Sequence, residues 1–157
     1  MAALLALTGA ELIFSNCRFH NCGIMATAGA SIALRECFFY GGDVAVCAWG
    51  AATSVTLEDC SLQACSEGFA LEGGASLTAV RCQLHNCKIN GMHAAGRASL
   101  SVQDTVVEGC LGHAGWARGA GTSVTLASCV FKRCVRGSFC VDQGAQLSTV
   151  RSREALH

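Results

Sequence analysis

Thr53-Ser54-Val55-Thr56-Leu57-Glu58-Asp59-Cys60-Ser61-Leu62-Gln63-Ala64-Cys65-Ser66-Glu67-Gly68-Phe69-Ala70-Leu71-Glu72-Gly73-Gly74 is the stretch on which the fold turns. Its apolar residues alternate, break and alternate again: Val55 and Leu57, then Cys60, Leu62 and Cys65, then Phe69 and Leu71. A period of two is the mark of a strand with one buried face, so the stretch holds three very short strands separated by bends. It contains no helical stripe, and no cap followed by one.

Outward from this unit the same pattern recurs. Residues 29–50, 75–97, 98–119 and 122–144 repeat it, an earlier unit begins at Gly9, and a partial one, Ala145–Val150, follows the last. The first cysteine position is filled by Cys17, Cys37, Cys60, Cys82, Thr105 and Cys129, at intervals of 20, 23, 22, 23 and 24 residues. The second position holds Cys22, Gly42, Cys65, Cys87, Cys110 and Cys134. One unit cannot bury its inner face alone. Stacked in register at about 4.8 Å per coil, successive units align like residues into inward columns and close a continuous core. The predicted fold is all-β, a parallel solenoid of about six to seven coils with three short strands in each. Residues 1–150 are expected to form a single domain and 151–157 a polar tail. Leu5-Ala6-Leu7-Thr8-Gly9 matches Phe69-Ala70-Leu71-Glu72-Gly73 and is expected to supply the last strand of an additional coil.

The pattern resembles the right-handed β-helix repeats of the pectin-lyase-like superfamily, which occur in carbohydrate-processing enzymes and in F-box substrate adaptors. The resemblance spans nearly the whole chain and implies right-handed coiling. It implies little about activity, because this architecture hosts unrelated functions. Leucine-rich repeats are excluded by the missing Leu/Asn signature, and calcium-binding β-helices by the missing Gly-Gly-x-Gly-x-Asp nonapeptide.

Composition narrows the function classes. Eleven basic and eleven acidic residues leave no net charge, and no run of Lys or Arg offers the cationic face that nucleic acid or acidic lipid requires. There is no proline, which suits a chain made of ladder-bonded strands. No apolar run reaches the roughly 18 to 20 residues needed to span a membrane as a helix. Twelve cysteines would mean disulfides in a secreted protein. Stacked on parallel strands, however, their Cβ vectors run side by side, further apart than a bridge prefers. A ladder of reduced thiols is the expectation, and with it a cytoplasmic or other reducing compartment; secretion is the alternative. The Cys-x4-Cys spacing straddles a turn and does not converge four ligands, so neither zinc nor any other cofactor is expected.

Three side-chain arrays are candidates for chemistry. Asn16, Glu36, Asp59, Arg81, Asp104 and Ser128 fall in one column, which brings the carboxylates of Glu36 and Asp59 to neighbouring coils. Retaining glycosidases hold two carboxylates at such a spacing, but on opposite flanks of the scissile bond, whereas a column puts both on one side. A surface charge ladder with Arg35, Glu58 and Arg81 explains the column, and nothing matches the Asn-Thr-Asp, Asp-Asp or Arg-Ile-Lys motifs that the resemblance would call for in a polygalacturonase. Trp49, His93, Trp116 and Arg118 point outward from the third strand, with His93 directly below Trp116, and form the candidate binding surface. A one-residue slip in register there would turn the indoles into the core. Finally, Ser54/Thr56, Ser76/Thr78, Ser99/Ser101 and Ser123/Thr125 form a flat hydroxyl grid that resembles ice-binding β-solenoids.

The reading that results is a non-enzymatic β-helix module for protein interaction. It would be a segment of a larger protein or assembly, meeting its partners through open solenoid ends or a flat sheet face. A carbohydrate-binding or carbohydrate-processing fragment is the alternative, and an ice-binding solenoid a third.

Overall fold

The computed structural model describes residues 2–6, as backbone, and 8–155. The decisive unit folds as Ser54–Glu58, Ser61–Gln63 and Glu67–Glu72, three strands that enter three different sheets. Each sheet has seven strands, one from each successive coil, paired in parallel. No helix among the described residues is long and apolar enough to cross a membrane.

The alternation read from the sequence is the alternation of burial. Val55, Leu57, Cys60, Leu62, Cys65, Phe69 and Leu71 are all sealed from solvent. In-register pairing stacks them into columns such as Ile32–Val55–Leu77–Leu100–Val124 and Phe39–Leu62–Leu84–Val107–Phe131. These columns form the single core of the solenoid, and each coil contributes to it only by lying on its neighbours.

The corners explain the columns that alternation does not. Between the first and second strand of successive coils stand Asn16, Glu36, Asp59, Arg81, Asp104, Ser128 and Arg151, all left-handed, with φ between +49° and +56°. The next residue clamps the corner. Cys60 Sγ donates to the Glu58 carbonyl at 3.3 Å, Cys82 Sγ to the Val80 carbonyl at 3.4 Å, and Thr105 Oγ1 to the Gln103 carbonyl at 2.9 Å. The Thr105 and Ser152 hydroxyls also accept the N–H of Cys82 and of Cys129 from the preceding coil. Thiol and hydroxyl are therefore interchangeable here, as small inward donors that satisfy a bent backbone.

Left-handed geometry is tolerated by Asn and Asp and disfavoured for other side chains. Glu36 sits in it at φ +51° with its side chain exposed. Replacing Glu36 by Asn is expected to raise stability by up to about 1 kcal/mol. Urea denaturation of the purified variant measures this, and a loss of stability would contradict the corner reading.

Buried threonines tie the third corner. Thr53 Oγ1 donates to the Trp49 carbonyl and accepts the Gly29 N–H, both at 3.0 Å; Thr122 does the same for the Arg118 carbonyl and the Arg97 N–H. Both threonines are wholly buried beneath the exposed ends of third-sheet strands.

Two details differ from the sequence reading. The polar segment after Val150 is in part a strand: Arg153–Ala155 pairs with Val130–Lys132 and extends the second sheet. Backbone pairing along a sheet is indifferent to the polarity of outward side chains, so a polar stretch can continue the ladder. At the other end, Ala2–Ala6 does supply a third-sheet strand, but Leu4, not Leu5, lies over Ile24, which is in register with Val46 and Phe69. A run of Ala and Leu alternates too weakly to set its own register. Leu7 lies outside the described residues.

Candidate functional site

The outer face of the third sheet carries a column running Met25, Cys47, Ala70, His93, Trp116 and Cys140. Its register is the one expected. Met92 and Ala94 are buried, and His93 between them faces out, paired with Trp116 on the next coil. The two rings stack with centroids 5.5 Å apart and planes inclined by 27°. The indole N–H of Trp116 is buried and has no hydrogen-bond partner among the described residues.

Trp49 is 57% exposed. Its indole lies against Gly73 of the next coil, where a Cβ would sit 3.1 Å from the ring, so the absence of a side chain at that corner seats the tryptophan. Trp49 and His93 line one hollow of about 200 Å³ together with Met25, Cys47 and Glu72. Trp116 lines a second, of about 320 Å³. Arg118 lines neither; its Nε donates to Gln143 at 3.0 Å, which draws the guanidinium toward the following corner. The structure thus brings three of the four expected surface residues to adjoining hollows and leaves the fourth beside them.

The second hollow owes its wall to a turn that the periodic reading passed over. Only Ser66 separates Cys65 from the strand Glu67–Glu72, whereas Lys88–Gly91 separate Cys87 from Met92–Ala95. The longer turns of these later coils stand out from the sheet and carry Ile89, Leu111 and His113, with Lys88 and Arg136 on the rim. Ile89 and Leu111 are 52% and 60% exposed. Large apolar side chains just after the second cysteine, outside any alternation, are the signal in the sequence that could have located this wall.

Asn90 holds the wall in place. It is 95% buried by its 5% exposure, and its Oδ1 accepts the His113 N–H at 3.0 Å. Its side chain also hydrogen-bonds Glu67. Burial raises the Glu67 carboxyl above the usual carboxylate range, with Asp43 adding to the rise and His93 and the Asn90 bond opposing it. A carboxyl raised in the folded state binds its proton more tightly there than in the unfolded chain. Stability therefore falls as pH rises from the unfolded value through the folded one. Glu67→Gln, which keeps the Asn90 contact, is expected to be more stable than the parent at neutral pH. That advantage should vanish below the ordinary carboxylate range, as denaturation at a series of pH values would read.

In the other candidate array Asp59 and Arg81 form an ion pair. Asp59 is held by the Arg81 guanidinium at 2.8 and 2.9 Å, which keeps its carboxyl below the usual range, and Arg81 also pairs with Glu58. Asp104 receives a hydrogen bond from Gln103 at 3.0 Å. Arg81 therefore turns toward one neighbour instead of bridging two. Glu36 and Asp59 occupy successive corners, and the Asp59 carboxylate is already engaged by a cation. The hydroxyl grid is in register over the first sheet, with Ser54 paired to Ser76 and Thr56 to Thr78.

No disulfide joins any of the twelve cysteines. The hydrogen bond with Cys82, together with burial, pushes the Cys60 thiol up. At Cys110 the bond with Cys134 lowers the thiol, but the bond with Cys87 and burial prevail and leave it pushed up to about 12. The bond with Cys60 lowers the Cys82 thiol, whereas the raised, protonated thiols of Cys60 and Cys110 are poor nucleophiles.

Comparison with known proteins adds the following. A family described as "Right handed beta helix region" matches residues 2–131. No curated protein matches the chain. Among solved structures, that of QnrB1, a plasmid-mediated fluoroquinolone resistance protein, aligns at 12% identity over 93% of this chain and 91% of that one. Its TM-score is 0.17, too low to carry an argument.

Proposed function

This chain belongs to the right-handed beta helix family, and from that premise we propose that it is a non-enzymatic scaffold holding a protein partner on the outer face of its third sheet. The observation that carries the reading is the His93–Trp116 stack, facing outward between two adjoining hollows on a rigid sheet. Aromatic anchors beside concave, partly apolar surface are what interaction hot spots are made of. Purification of partners from the source cells tests it. Binding should be lost with His93→Ala/Trp116→Ala and retained with Thr56→Ala/Thr78→Ala on the first sheet. An unchanged partner profile in the first variant would overturn the proposal.

Carbohydrate binding is the second reading, favoured by the exposed ring of Trp49. Saturable binding on a glycan array, abolished by Trp116→Ala or Trp49→Ala, would replace the first reading with it. A reducing compartment fits the thiol ladder. The expected titration is twelve free thiols in denaturant, most of them unreactive in the native protein; a value near zero would place the chain in an oxidising compartment.

A further inference from the structure

The two hollows differ in charge. The one at Trp49 is lined by Glu72 and has no Lys or Arg, whereas the one at Trp116 is lined by Lys88, Arg136 and His113 and has no carboxylate. Among the described residues neither Lys88 nor Arg136 makes an ion pair. Glu67, whose carboxyl bonds Asn90 of the same wall, is half-buried and does not line the hollow. The same hollow is lined by the large apolar side chains of Trp116, Ile89 and Leu111. Unpaired cations beside large apolar side chains select a ligand with the matching plan, an apolar group flanked by carboxylates.

We propose that the hollow beside Trp116 binds an acidic peptide segment, seating one apolar side chain against Trp116, Ile89 and Leu111 and its carboxylates on Lys88 and Arg136. This rests on the interaction reading above and names the chemistry of the partner. The hollow has the size of a small binding site, at about 320 Å³. It is also preorganised. Asn90 locks one turn to the next, and Gly112 packs so tightly beneath that a Cβ there would lie 2.1 Å from the Ile89 carbonyl oxygen. A wall that does not need to be ordered on binding keeps more of the contact energy as affinity. The Trp116 indole N–H, without a partner, is a donor that an acceptor in the hollow can satisfy once the ring shifts.

The experiment uses the full chain carrying Trp49→Phe, so that Trp116 is the sole indole. Its emission is followed as acetyl-Glu-Leu-Glu-Glu-amide is added, with acetyl-Gln-Leu-Gln-Gln-amide and octanoate as parallel titrants. The expected result is a saturable change with the acidic peptide, at least about tenfold weaker with the neutral one and weakened again by raising salt to about 0.5 M. Lys88→Glu and Arg136→Glu, both at exposed positions, are each expected to weaken binding about fivefold or more with circular dichroism unchanged. Equal binding of the neutral peptide, indifference to both charge reversals, or no response to the acidic peptide overturns the proposal; a response to octanoate as strong as to the peptide overturns the peptide assignment. If the proposal fails while His93→Ala/Trp116→Ala still loses its cellular partner, the scaffold reading stands and only the ligand class falls.

Discussion

Gly91→Val is expected to abolish folding. A Cβ at residue 91 would lie 2.5 Å from the Ala114 carbonyl oxygen and 2.6 Å from Val107 Cγ1, distances that atoms do not share. Neither neighbour can retreat. Val107 is part of a sealed core column, and the Gly91 backbone is held on both sides, its N–H donating to the His113 carbonyl and its carbonyl accepting from Gly68 and Phe69. Gly68, one coil earlier, is equally tight, with a Cβ there 2.6 Å from the Gly91 carbonyl oxygen. The constraint is therefore the close approach of consecutive coils where the chain enters the third sheet. Overpacking normally costs about 1–3 kcal/mol where backbone can yield, and more where it cannot. Soluble yield and thermal melting measure the effect; a valine variant melting within about 3 °C of the parent would contradict it.

Phe69→Ala is the opposite insult, a void at the centre of the stack. Phe69 is wholly buried, among the largest sealed side chains, and in register with Val46 below and Met92 above. Truncation removes the apolar contacts of the ring and leaves a cavity that strands hydrogen-bonded on both sides cannot collapse, at a cost of about 3–5 kcal/mol. For a chain of this size the melting temperature should drop by roughly 10 °C. Equilibrium denaturation reads the change directly, and a loss below about 1 kcal/mol would mean that the ring is not where the core is closed.

Both predictions draw on residues that the sequence treats differently. Phe69 announces itself as an inward residue by alternation, whereas Gly91 lies in a turn with no periodic neighbours to mark it. The same division runs through the candidate site. His93 above Ala70 and below Trp116 follows from counting along the repeat. Lys88, Ile89, Asn90, Leu111 and Arg136 do not, because the turn that carries them is longer than its counterpart in the earlier coils and its side chains answer to no inward or outward rule. The column of Asn16, Glu36 and Asp59 was legible as a column, but the left-handed backbone that these residues share was not.

What this chain's amino acids determined unaided was the coil: three short strands, their inward faces, and the stacking of like on like. A solenoid lets that be read because each coil meets only its neighbours, so that local alternation and global contact are the same information. Tertiary structure alone decided where the surface becomes concave, which charges find partners, and that Trp116 looks onto a cationic hollow while Trp49 looks onto an acidic one. Those outcomes depend on how far turns of unequal length protrude and which way long side chains lean, and both are settled only when neighbouring coils are in contact.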